Sequence, residues 1–299
     1  EQHFLRKSSR PPLSVLPNIF IHHSKYVSSM LERFGITIPS RARANTPMEE
    51  RYGMAPDSSP AFNDIKLYQS AVGSLMFTAT YVRADIAVAV RAVAQRVISP
   101  TENDWSAVKR IFLYLSNTVD YGILYQRDTP IGLAAYSDAS WADDLESRRS
   151  VGGYVVLVAG GAISWRSKQQ TLVATSTTES ELLAASDATK EVIALRRLAT
   201  DLGHGTVGPT TIFEDNAGAI AIAENPTSHG RTKHFDVQQL FVRERTTSGD
   251  IKLVYISTHD MVADTLTKAL GRVKFEFHRD GMGFRSLSTL RGRSVGGAK

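Results

Sequence analysis

The sequence predicts an α/β fold: a mixed sheet flanked by helices, preceded by a smaller and mostly helical region. Three observations carry this reading. Apolar residues at helical spacing run through residues 61–118, short β-type runs begin near residue 121, and beyond residue 178 helical stretches alternate with single strands. Strands first, then helices interleaved with single strands, is the order of a mixed sheet covered by helices.

The elements follow in order. Residues 1–60 are rich in Pro, Ser and Arg and read as loosely ordered, apart from a helix near His23 to Phe34 that Gly35 is placed to end. Tyr68 to Thr80 and Asp85 to Val97 are apolar and rich in small residues, as buried helices are. Thr101 and Asp104 stand at capping-box spacing before a helix with Val108, Ile111, Phe112 and Leu115 on one face. Strands are expected at Gly122–Tyr125, Leu133–Tyr136, Tyr154–Val158 and Ala162–Trp165, with Gly160-Gly161 as a hairpin turn. A long helix from about Thr178 to Leu202 should end at Gly203. Then come a strand (Thr210–Glu214), helices (Ala217–Ala223 and Phe235–Arg245), a strand (Ile251–Ile256) and a last helix (Met261–Ala269). Residues 271–299 hold Gly, Arg and Ser with little core material and read as a tail.

Composition narrows the chemistry. At 299 residues the chain suggests about two domains and can bury a sizeable core. There is no cysteine, which excludes thiol catalysis and cysteine-ligated zinc or iron–sulfur sites. The net charge of +5 leans toward polyanionic partners. The longest apolar stretch, Ala71 to Val97, is interrupted by Arg83, Asp85 and Arg91, so no membrane span is expected. The first residues carry neither an initiator Met nor the apolar core of a signal peptide, and read as the interior of a longer protein.

Four acids stand out by position. Asp138 follows a strand, Glu181 lies in the first turn of the long helix, Asp215 stands between a strand and a helix, and Asp264 lies in the first turn of the last helix. Acids at strand ends and helix starts can converge at one sheet edge. Such a cluster repels itself unless a hard divalent cation joins it. Each acid taken singly more often serves an ordinary helix-start role, so spacing alone does not establish the site.

Seven phrases decide more. They are Tyr136–Ala142 (YSDASWA), Arg149–Tyr154 (RSVGGY), Gly160–Trp165 (GGAISW), Ser176–Glu181 (STTESE), Glu214–Asn216 (EDN), Arg231–Asp236 (RTKHFD) and Ala263–Lys268 (ADTLTK). In this order and spacing they resemble the RNase H domain in the Pol polyprotein of copia-type LTR retrotransposons. Upstream, Tyr68–Met76, Asp120–Tyr125, Lys25–Val27 and Thr46–Met48 resemble the end of the family's reverse transcriptase and the segment joining it to RNase H. The resemblance covers roughly residues 20–270.

It implies an RNase H-like mixed five-stranded sheet and the following organisation: a reverse-transcriptase remnant (1–60), a helical thumb and connection region (61–125), an RNase H-like domain (126–270) and a tail (271–299). It implies that Asp138, Glu181, Asp215 and Asp264 are the catalytic, metal-binding acids of a ribonuclease H. This enzyme would cut the RNA strand of an RNA–DNA hybrid with two Mg²⁺ ions, Mn²⁺ serving as a substitute. Glu181 is preferred over Glu179, which lies about 100° around the helix and is expected to be more exposed. Arg148, Arg149, Arg166 and Lys168 around the hairpin, with Trp165 among them, and Arg231, Lys233 and His234 ahead of a helix, are the expected nucleic-acid contacts. His259 reads as an ordinary loop residue.

No Tyr-x-Asp-Asp turn occurs, so polymerase activity is not expected. The expected partners are the hybrid and the rest of the Pol polyprotein. The expected location is intracellular, in a cytoplasmic virus-like particle or the nucleus. The alternatives are a catalytically inactive, nucleic-acid-binding relic or domesticated fragment, and an integrase-like transposase, which the fourth acid and the hairpin phrases disfavour.

Overall fold

The computed structural model describes residues 18–35, 43–50, 52–53, 57–129, 132–142, 144, 147–205, 207–224 and 233–294. Most of the expected loose order in residues 1–60 falls outside these. Within them lie a short strand, β1 (Ile19–His22), and a helix, α1 (Ser24–Arg33).

The helical region comprises α2 (Ile65–Tyr81), α3 (Ala87–Ala94) and α4 (Glu102–Asn117). Asp64 caps α2 by accepting from the Leu67 N–H. Thr101 and Asp104 form the reciprocal capping box of α4, which satisfies two backbone donors that would otherwise stay open. Tyr68, Leu75, Ile111, Phe112 and Leu115 interlock in one core, joined by Val27 and Met30 of α1.

The strand expected at residues 122–125 forms as β2 (Tyr121–Tyr125), but outside the main sheet. It pairs antiparallel with β1 on one side and with a C-terminal strand, β8 (Phe284–Ser286), on the other.

The main sheet contains β3 (Ala134–Ser140), β4 (Val151–Val158), β5 (Gly161–Gln169), β6 (Thr210–Glu214) and β7 (Ile251–Tyr255). Its spatial order is β5-β4-β3-β6-β7. The first three strands are antiparallel neighbours, whereas β3–β6 and β6–β7 are parallel. This is the expected mixed five-stranded sheet. Its flanking helices are α5 (Thr177–Asp201), α6 (Ala217–Glu224) and α7 (Lys233–Thr247).

Both faces of β4 are buried, which explains why its sequence reads as a continuous apolar run. Tyr154 and Val156 pack with Leu182, Val192 and Ile212 on the α5 side. Val155 packs on the other side with Val262, Leu266 and Phe284. The β4–β5 turn is centred one residue earlier than the sequence suggested. Ala159 (φ 49°) and Gly160 (φ 76°) both take left-handed conformations, the requirement of the tight hairpin turn that matches strand twist.

Three expectations need correction. β3 continues through Asp138 to Ser140, so Asp138 lies within the strand rather than after it. The last helix, expected over Met261–Ala269, is a short 3-10 turn, Val262–Leu266, with every residue buried. It lies against β4, so packing on the sheet rather than helical periodicity sets its form. The expected tail instead carries α8 (Arg272–Gly281), β8 and α9 (Leu287–Ser294). Phe275, Met282 and Phe284 are buried there, three residues that average composition conceals.

Candidate metal centre

The site forms where two parallel strands part. Pairing between β3 and β6 stops at Tyr136↔Phe213, whose rings stack 4.8 Å apart. Asp138 on β3 and Asp215 after β6 lie just beyond, at the carboxyl ends of both strands, the edge where parallel sheets place their ligands. Helix α5 crosses this edge and delivers Glu181. Asp138, Glu181 and Asp215 each present a carboxylate oxygen, and these oxygens all lie within 4.8 Å of one another.

Glu179 is buried too, against the expectation that it would be exposed. Its carboxylate turns back to accept from the backbone and hydroxyl of Thr175, and its own N–H donates to Ser176 Oγ. It therefore closes the start of α5, and Glu181 alone faces the other acids. Glu181 Oε2 is buried with no hydrogen-bond partner among the described residues.

Electrostatics set this cluster apart. Burial pushes the Asp138 carboxyl up to about 7, with Asp264 and Asp215 adding to the rise while Lys268 and the Thr267 hydrogen bond oppose it. Glu181 is raised well above the usual carboxylate range, first by burial and then by Asp138, Glu214 and Asp215. Glu214, a further acid of the cluster and itself buried, is raised chiefly by burial and is steadied by the Ser137 hydroxyl at 3.0 Å and the Asn216 N–H at 3.2 Å. Buried carboxylates this close, one with an oxygen lacking any partner, match the all-oxygen donor set of a hard divalent cation. The three acids around Glu181 fit one such ion.

Asp264 is brought to the same place but is otherwise engaged. It is fully buried, its Oδ1 lies 2.7 Å from Lys268 Nζ, and its Oδ2 bonds Lys274 of α8. Thr267 Oγ1 bonds Asp138 directly. Gly153, opposite Asp138 in the β3–β4 register, allows this approach: a Cβ there would meet Thr267 Cγ2 at 2.8 Å and Leu266 Cβ at 2.9 Å. Glu214, Thr267, Lys268 and Lys274 were missed as site residues. The i, i+4 spacing of Asp264 and Lys268 was a readable signal, whereas Lys274 carried none.

The basic residues divide. Arg148 and Arg149 are exposed on the loop at the sheet edge where β3 ends. Arg166 and Lys168 line a groove of about 210 Å³ between β4–β5 and α5, with Gln170 and Lys190, and Arg166 lies 3.4 Å from Asp187. Trp165 is committed elsewhere, its Nε1 donating to Ala79 O of α2 at 2.8 Å. Lys233 and His234 fall on the first turn of α7, with their side chains outside the described residues, and Arg231 lies outside them altogether. His259 is well exposed, 3.1 Å from Asp260.

No family model matches the chain. It is 38% identical over 231 residues to the Retrovirus-related Pol polyprotein from transposon RE2 of Arabidopsis thaliana, covering 77% of this chain and 16% of that protein. It is 36% identical over 274 residues to the corresponding polyprotein from transposon TNT 1-94 of Nicotiana tabacum, covering 90% of this chain and 20% of that protein. The chain belongs to the copia-type retrotransposon Pol polyproteins.

The chain spans about a sixth to a fifth of the length of these Pol polyproteins. It is also 45% identical over 126 residues to Secreted RxLR effector protein 161 of Plasmopara viticola, covering 42% of this chain and 89% of that protein. Solved structures with limited likeness include the foamy viral protease–reverse transcriptase in complex with an RNA/DNA hybrid (13% identity, TM-score 0.45, 79% of this chain and 27% of that one). Another is RNase H1 from the halophilic archaeon Halobacterium salinarum NRC-1 (17% identity, TM-score 0.31, 45% of this chain and 93% of that one). Among the described residues no helix is long and apolar enough to cross a membrane.

Proposed function

We propose that this piece of a Pol polyprotein is a metal-dependent endonuclease that hydrolyses the RNA strand of RNA–DNA hybrids. The observation that carries the reading is the convergence of Asp138, Glu181 and Asp215 oxygens within 4.8 Å at the parting of two parallel strands. In this reading residues 126–270 are the RNase H-like unit and residues 61–125 the thumb and connection in front of it. The enzyme works where the hybrid is made, in a cytoplasmic virus-like particle or the nucleus.

A divalent ion, Mg²⁺ or Mn²⁺, supplies Lewis-acid polarisation of the scissile phosphate and acidifies a water. The chain's own residues do the rest. Asp138, Glu181 and Asp215 would hold the ion, and Thr267 fixes the Asp138 carboxylate by a direct hydrogen bond. Arg166 and Lys168 line the groove that reaches Gly153, the register partner of Asp138, where they hold backbone phosphates, and Arg148 and Arg149 extend this basic surface along the sheet edge. Discrimination for RNA rests on its 2′-hydroxyls and helix shape rather than on base edges.

The test is cleavage of a labelled RNA–DNA hybrid by the chain and by Asp138→Asn. The parent should cut the RNA strand, and the variant should lose cleavage by a factor of about 10³ or more while keeping hybrid binding. An active Asp138→Asn protein would sink this site. A second reading, a non-catalytic domesticated fragment, is favoured by the effector protein that matches a 126-residue part of the chain over 89% of its own length. Hybrid binding without cleavage by the folded parent would select it.

A further inference from the structure

The fourth acid points to a device that the metal reading alone does not contain. Asp138 and Asp264 also stand beside each other outside the three-acid group, and the space at this pair is taken by an ammonium group. Lys268 Nζ lies 2.7 Å from Asp264 Oδ1 and 3.7 Å from Asp138 Oδ2. Lys274 neutralises the other oxygen of Asp264. Asp264 is fully enclosed, whereas the Lys268 side chain is about one-third exposed and has a path to solvent.

Resting on the nuclease reading, we propose that Lys268 is a built-in cation that competes with the second divalent ion for the Asp138–Asp264 pair. The first ion enters at Asp138, Glu181 and Asp215 without displacing any side chain. The second enters only when the Lys268 ammonium swings out. Coulomb attraction at these distances, in a partly buried setting, is strong enough to weaken a competing ion markedly. Lys268 sits four residues after Asp264, just past the 3-10 turn, so local backbone geometry returns it to the carboxylate whenever the ion leaves. Without metal, Lys268 and Lys274 spare the fold the repulsion of Asp138 against Asp264.

The experiment is titration of the chain with Mn²⁺, followed by calorimetry and by the electron-spin signal of the free ion, for the parent, Lys268→Gln and Lys268→Arg. The parent should bind one ion firmly and a second weakly. Lys268→Gln should bind the second ion roughly tenfold or more tightly than the parent, and Lys268→Arg should behave like the parent. In EDTA the Gln variant should melt below the parent, and Mn²⁺ should remove that difference. Equal second-ion affinity in parent and Lys268→Gln overturns the inference while leaving the three-acid site intact. Failure of any of these proteins to bind Mn²⁺ overturns the site reading and this inference together.

Discussion

Asp138 is buried beside four other acids, and burial first, with Asp264 and Asp215 adding to it, raises its carboxyl. Because its folded value, about 7, stands above the ordinary 3.8, the folded chain holds this proton more tightly than the unfolded chain does. The resulting stabilisation is complete below about pH 4 and is lost as pH rises through about 7. In EDTA the melting temperature should therefore fall between pH 5 and pH 8 by a few degrees more in the parent than in Asp138→Asn, which cannot titrate there. Parallel curves for the two proteins would contradict this. Divalent-ion affinity should run the other way and tighten as pH rises, since the ligands must lose their protons. At this scale the four acids were legible because the phrases around them resemble one family, whereas the Asp264–Lys268 pair went unread although its spacing was there to see. Lys274, ten residues beyond Asp264 on another element, left no local trace.

At the scale of elements, the site depends on the 3-10 turn lying directly on β4. Gly153 is where that contact is closest, and any side chain there must push Leu266 and Thr267 away. Gly153→Ala should cost about 1–3 kcal/mol in denaturant unfolding, the usual range for overpacking. It should also weaken binding of the first ion at Asp138, Glu181 and Asp215, because Thr267 no longer fixes the Asp138 carboxylate. An Ala variant of unchanged stability and ion affinity would show that the turn is not held there. Caps, by contrast, were readable in advance: Thr101 with Asp104 and Gly35 depend only on neighbours in sequence. The length of the 3-10 turn and the extension of β3 through Asp138 depend on partners far along the chain, so periodicity misjudged both.

At the scale of the molecule, the helical region and the sheet share a core. Ala84, Ile123, Val155, Val262, Leu266, Met282 and Phe284 belong to a single cluster. Trp165 bonds across to Ala79, and Arg279 of α8 lies 4.7 Å from the Tyr121 ring centre. Residues 272–286 thus fasten the two regions together and also supply Lys274 to Asp264. A chain stopped after Leu270 should lose cooperative unfolding or fail to fold, as seen by circular dichroism and gel filtration, since it strips Phe275, Met282 and Phe284 from their cores. A truncated chain as stable as the parent would restore the description of these residues as a tail.

The sequence by itself determined the element types, the mixed sheet with its flanking helices, the family and the identities of the acids. Each of these depends on local periodicity, capping chemistry or a recognisable phrase. Only the tertiary structure decided that β2 leaves the main sheet to pair with β1 and β8, that Glu179 is buried and closes a helix, and that Asp264 is shared with two lysines. Those choices depend on which surfaces meet and on which charges are left without water, quantities that one-dimensional spacing does not contain.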